Sequence, residues 1–184
     1  MRFSIERELL QQTLIDVSRG LSDKKPLPVL TGIKIEALDT GLVFTTTNKE
    51  ISVQIKLETS NDVVVEETGY CVVPGKYFVE IAKKIEGKIV DFTVFEEKTI
   101  KINSEKSDFT LISYDKEFFP NVNFDSKNEP IKFESKTLKQ LVKQTAFAAA
   151  TSESRIILTS VNFAFTNSLL IVTATDSFRL ARKE

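Results

Sequence analysis

The chain has 184 residues, 41% hydrophobic and 28% charged, with a formal net charge of −1. That is the balance of a globular chain of one or two domains and not of a disordered one. It contains no histidine and a single cysteine, Cys71, which excludes histidine-based acid–base catalysis, histidine metal sites and intrachain disulfides. No apolar run approaches the roughly 18–20 residues of a membrane span, and MRFSIERELL lacks the apolar stretch of a secretory signal, so a cytoplasmic setting is expected.

MRFSI reads as a short strand. A helix follows from about Glu6 to Arg19, with Leu10, Leu14 and Val17 on one face and Ser4 as a candidate N-cap. Residues 21–28 hold Asp23-Lys24-Lys25-Pro26 and form a loop. Between Val29 and Leu57 three strand-like runs are divided at Asp39-Thr40-Gly41 and Asn48-Lys49-Glu50, and Val63–Val65 and Tyr70–Val73 follow around a turn. Cys71 falls in the apolar run GYCVVP, where a buried inert thiol is expected. Pro74 opens a second helix to about Ile85, with Phe78, Ile81, Ala82 and Ile85 at helical spacing. Ile89–Phe95, Thr99–Ile102 and Phe109–Ser113 are expected strands, and 115–130, rich in Asn, Asp, Lys and Pro, is the expected interdomain linker. The chain then restarts with Ile131-Lys132-Phe133 and a helix from about Lys136 to Ala150, capped by Ser135. A loop at 151–155 leads to strands at Ile156–Phe165 and Leu169–Thr175, and DSFRLARKE closes the chain. Mostly antiparallel strands with two widely spaced helices argue an α+β class.

VLTGIKI at 29–35 returns as ILTSVNF at 157–163, an offset of 128 residues. At the same offset LVFTTTN at 42–48 matches LIVTATD at 170–176, and at a nearly equal one Arg2-Phe3-Ser4 with its following leucines matches Lys132-Phe133-Glu134-Ser135 with Leu138, Leu141 and Val142. A repeat of this period indicates duplicated domains. The expected organisation is one domain at 1–125 and the opening half of a second at 126–184.

Lys132, Lys136, Lys139 and Lys143 form one stripe, and no acidic residue occurs from Lys136 to Ala150. Such a stripe either binds phosphate without reading bases or is a solvated face. Neither GxGxxG nor a P-loop occurs, and no paired carboxylates suggest catalysis, so an enzyme is not expected.

MRFSIERELL, LPVLTGIKI, CVVPGKYFVEIAKKI, FAAATSESRIILTSVNF and ATDSFRLA together resemble the bacterial DNA polymerase III β subunit family, the sliding clamps. The resemblance implies a DNA-clamp fold of similar α+β domains with two helices each, and a non-catalytic, cofactor-free homodimeric ring around duplex DNA. Such a ring tethers the polymerase for processive synthesis at the nucleoid. It assigns DNA contact to Lys24 and Lys25 in the 21–26 loop and to Ser152, beside the stripe of Lys132, Lys136, Lys139 and Lys143. It assigns a cleft for short peptides of the polymerase III alpha subunit, clamp loader and repair polymerases to Arg155, Leu158, Thr175, Ser177, Phe178, Arg179 and Leu180. Phe178 stands where family members usually have histidine, which implies a less polar rim and an altered peptide preference. Phe109 and Leu111 on the 107–113 edge strand are the implied subunit contacts. A third domain is implied outside the 184 residues, so the second wall of the cleft and the ring-closing partner are expected from elsewhere, and the bare edge is expected to self-associate weakly. Two competing readings are a stand-alone α+β interaction module without a DNA role and an enzyme built on carboxylates and lysines.

Overall fold

The computed structural model describes residues 1–22, 27–96, 98–125, 131–166 and 169–184. The chain divides into two compact units, Met1–Phe124 and Asp125–Glu184.

Unit 1 is α+β. Its strands are β1 (Arg2–Glu6), β2 (Gly32–Leu38), β3 (Gly41–Thr47), β4 (Ser52–Glu58), β5 (Val63–Glu67), β6 (Gly69–Pro74), β7 (Ile89–Phe95), β8 (Thr99–Ser104) and β9 (Ser107–Ile112), with helices α1 (Arg7–Val17) and α2 (Gly75–Lys84). They form a five-stranded sheet in the order β5-β1-β7-β8-β9 and a four-stranded sheet in the order β4-β3-β2-β6. All pairings are antiparallel. The sheets meet where the Tyr114 amide donates to the Val72 carbonyl at 2.8 Å, next to the buried hydroxyl of Ser113.

Both helices bury an apolar stripe against the inner sheet faces. Leu10, Leu14 and Val17 of α1 and Phe78 and Ala82 of α2 join Phe3, Ile5, Ile33, Ile35, Phe44, Phe92 and Ile102 in one buried cluster. Phe3 stacks on Phe92 with centroids 4.7 Å apart. The helices lie side by side, and the Gln11 amide donates to the Ala82 carbonyl at 2.7 Å. Cys71 is buried in this core, and burial pushes its thiol up to about 12, so it stays protonated and inert.

Several details differ from the sequence reading. The cap of α1 is Glu6, whose carboxylate accepts the Leu9 amide at 2.8 Å, because β1 runs through Ser4 to the helix. The run from Val29 begins with a 3-10 turn at Pro28–Thr31, closed by the Thr31 hydroxyl donating to the Pro28 carbonyl at 2.7 Å, and β2 starts only at Gly32. Residues 114–119 are part of unit 1 and not a linker, since Tyr114 and Phe119 pack on Val29, Leu30 and Val72.

Unit 2 contains α3 (Ser135–Thr145) and a three-stranded antiparallel sheet of β10 (Asn162–Thr166), β11 (Leu169–Thr175) and β12 (Leu180–Lys183). Glu134 and not Ser135 occupies the N-cap position of α3. The Ile156–Thr159 part of the expected strand is again 3-10 turn, within Glu153–Thr159. Ile131-Lys132-Phe133 lies outside any strand. In unit 1 the equivalent β1 is held between β5 and β7. Phe133 packs on Phe165, but among the described residues no strand pairs with this segment.

The 128-residue offset holds at the level of single elements: α1 maps onto α3, β3 onto β11, and the start of β4 onto β12. It also holds bond by bond. Ser22 N to Leu30 O at 3.1 Å has its counterpart in Ala150 N to Leu158 O at 2.8 Å.

Candidate functional site

The charged candidate is α3. Its Lys136, Lys139 and Lys143 are exposed, Lys132 is exposed just before the helix, and the helix carries no acidic side chain. The opposite face turns Thr145 fully inward and Leu141 partly so. Lys24 and Lys25 lie outside the described residues. On α2, Lys76, Lys83 and Lys84 are exposed, with Lys83 paired to Glu80 at 3.1 Å.

The second candidate is a cleft of about 420 Å³ within unit 2. One wall is the segment after α3, with Ala149, Ala150, Ser152, Arg155 and Leu158, and the other is the β11–β12 loop at Asp176–Arg179. The Ala150–Leu158 bond ties the first wall to itself. Ser152 accepts the Ser154 amide at 3.4 Å and lines this cleft, so the structure brings it together with the peptide-pocket candidates. Of those candidates, Arg155, Leu158, Ser177, Phe178 and Arg179 line the cleft. Thr175 and Leu180 pair with each other across β11 and β12 and flank it.

The loop is wound tightly by its own side chains. Asp176 Oδ1 accepts the amides of Phe178 and Arg179, both at 2.9 Å, and Oδ2 accepts Arg179 Nε at 2.9 Å. The Thr175 hydroxyl accepts the Ser177 amide at 3.2 Å and donates to the Arg179 carbonyl at 2.7 Å. Ser177 takes φ 78°. This winding leaves the Phe178 ring 97% exposed on the rim and sets the Arg179 guanidinium 5.9 Å from the Phe147 ring centroid. The backbone amides of Arg179 and Phe178, followed by the Arg179 side chain, hold the Asp176 carboxyl below its usual range. The carboxylate's stabilising effect is therefore complete above the ordinary aspartate pKa of about 3.9 and is lost as pH falls through the lower folded value.

Asp176 and the alanines escaped the sequence reading. An Asp whose side chain accepts amides two and three residues on is a recognisable turn signal, and Asp176-Ser177-Phe178-Arg179 has that spacing. Phe109 and Leu111 point from β9 into the core of unit 1 and are half-buried, whereas the exposed apolar side chain of that edge strand is Ile112.

Residues 1–123 match the family described as DNA polymerase III beta subunit, N-terminal domain, and residues 132–184 match its central domain. A beta sliding clamp of Staphylococcus epidermidis is 39% identical over 98% of this chain and 49% of its own length. The crystal structure of the Bacillus subtilis sliding clamp superposes with a TM-score of 0.94 at 35% identity, covering 100% of this chain and 49% of that one. A Pseudomonas aeruginosa sliding clamp described as bound to griselimycin gives a TM-score of 0.88 at 26% identity over 99% of this chain and 48% of that one. The chain spans about half the length of the curated relatives it matches.

Proposed function

This chain belongs to the DNA polymerase III beta subunit family, the sliding clamps, and from that premise we propose that it forms part of a ring encircling duplex DNA. The ring tethers DNA polymerase III without catalysing a reaction, and it works in the cytoplasm at the nucleoid. In this reading α3 turns Lys136, Lys139 and Lys143 toward the phosphates, with Lys132 alongside and Lys24 and Lys25 adding charge from unit 1. Contacts of this kind release counterions and read no bases, as a clamp that moves along DNA requires. The cleft of unit 2 docks short peptides of the polymerase alpha subunit, the clamp loader and repair polymerases, and it is also the place we propose for griselimycin. Its volume and its mixed lining, with Ala149, Ala150, Leu158 and Phe178 for apolar contact among hydroxyl and guanidinium groups, suit such ligands. Two copies of the protein carrying this chain close the ring, with the β9 edge of unit 1 at the junction.

The observation that carries the DNA reading is the exposed lysine face on a helix free of acidic residues. Its test is the salt dependence of duplex binding by this chain and by the K136Q/K139Q/K143Q variant. Removing three phosphate contacts is expected to lower the slope of log K against log salt by roughly 2 to 3, equally on unrelated DNA sequences. An unchanged slope removes α3 from the DNA face and favours the interaction-module reading.

A further inference from the structure

The loop at the cleft has a twin inside the same molecule. At the 128-residue offset, Asn48 Oδ1 accepts the amides of Glu50 at 3.0 Å and Ile51 at 2.7 Å, as Asp176 Oδ1 accepts those of Phe178 and Arg179. The Thr47 hydroxyl accepts the Lys49 amide at 3.1 Å, as that of Thr175 accepts the Ser177 amide, and Lys49 has the same φ of 78° as Ser177. The backbone turn is therefore complete with an amide side chain in its first position. The two loops differ where the turn makes no demand. Unit 1 has Asn48 with Ile51, and unit 2 has Asp176 with Arg179. The second oxygen of the carboxylate has a partner only in unit 2, where Arg179 Nε donates to it at 2.9 Å and Arg179 lines the cleft.

We infer that Asp176 is a positioning residue of the cleft: it closes the turn as Asn48 does, and in addition holds the guanidinium of Arg179, a residue of the cleft wall. Both oxygens of the carboxylate are engaged within the loop. Its negative charge is directed at the guanidinium of Arg179, a residue that lines the cleft together with Arg155 and keeps donors beyond the one given to Asp176. Between the ion pair and the Phe147 ring, the long Arg179 side chain has little rotamer freedom left to lose when a ligand arrives. The ligand half of this inference rests on the reading of the cleft as a docking site.

The test compares D176N and D176A with the parent chain by two readouts. Amide hydrogen exchange at Phe178 and Arg179 reports the turn, and exchange of Arg179 Nε–H reports the guanidinium. D176N is expected to keep the parent amide protection and to speed Arg179 Nε–H exchange, whereas D176A loses both. Griselimycin, as the cleft probe, is expected to bind D176N about five-fold more weakly, the upper range for a partly exposed ion pair. Unchanged Nε–H exchange in D176N overturns the inference, as does collapse of the turn in D176N to the level of D176A. Faster exchange with unchanged griselimycin affinity overturns its ligand half. A parent chain that takes up no griselimycin counts against the docking reading, and the exchange comparison still decides the role of Asp176.

Discussion

Gly20 ends the short turn after α1 against Thr46 of β3, and a methyl group there would come 2.5 Å from the Thr46 hydroxyl oxygen. That hydroxyl is buried and donates to the Val17 carbonyl at the C-terminal end of α1 at 2.6 Å. The repeat supplies a natural double substitution: the counterparts of Gly20 and Thr46 are Ala148 and Ala174, both buried. Where the hydroxyl is absent the methyl fits. In unit 1, G20A alone is expected to cost roughly 1–3 kcal/mol through overpacking. T46A alone should cost about 1–3 kcal/mol by leaving the Val17 carbonyl without its partner. The double variant should lose clearly less than the sum, because the new methyl occupies space that the hydroxyl vacated. All three tyrosines, Tyr70, Tyr77 and Tyr114, lie in unit 1, so urea unfolding followed by tyrosine fluorescence reads this cycle without interference from unit 2. Additive costs would contradict the shared-space account.

Among the elements, α1 and α3 cover the same eleven positions of the repeat yet differ in what covers them. Leu10 and Leu14 of α1 are each 1% exposed, while their counterparts Leu138 and Val142 are 37% and 39% exposed. Part of the difference is α2, which packs beside α1 and has no counterpart among the elements of unit 2. Helical stability comes mostly from packing of the apolar face. Amides of α3 are therefore expected to exchange roughly ten-fold faster than those of α1, or more, measured on the same sample. Equal protection would mean that unit 2 covers this face in solution. The helices themselves were legible in the sequence, since Leu10, Leu14 and Val17, and Phe78, Ile81 and Ala82, repeat at helical spacing. The 3-10 turns at Pro28–Thr31 and Ile156–Thr159 were not, because an apolar β-branched run reads as strand while a side-chain hydroxyl and one cross-loop amide bend it. The short β12 was also hidden: Leu-Ala-Arg-Lys has no alternation, and only pairing with β11 makes it a strand. The stripe on α3 was legible from spacing, and Arg155, Leu158, Ser177, Phe178 and Arg179 of the cleft were named from the resemblance. Asp176 was missed because its role lies in the backbone of its own loop.

At the scale of the whole molecule, the two units share a repeated frame from α1 and α3 through the turns after β3 and β11, and over that stretch they differ chiefly in side chains. The frame that presents Asn48, Lys49 and Glu50 in unit 1 presents a cleft with Phe178 and Arg179 in unit 2. The proposed roles divide between a basic helix face for nucleic acid and a cleft for peptide, on a scaffold with no histidine and, among the described residues, no cluster suited to a metal. In the proposed ring, topology and not affinity would hold the protein on DNA, a role that asks for few phosphate contacts. The most direct test uses the protein carrying this chain, loaded onto nicked circular plasmid and passed through gel filtration at moderate salt. The account predicts that it elutes with the circular DNA and is shed when a single restriction cut opens the plasmid. Equal retention on circular and cut DNA, or loss from both, would contradict it.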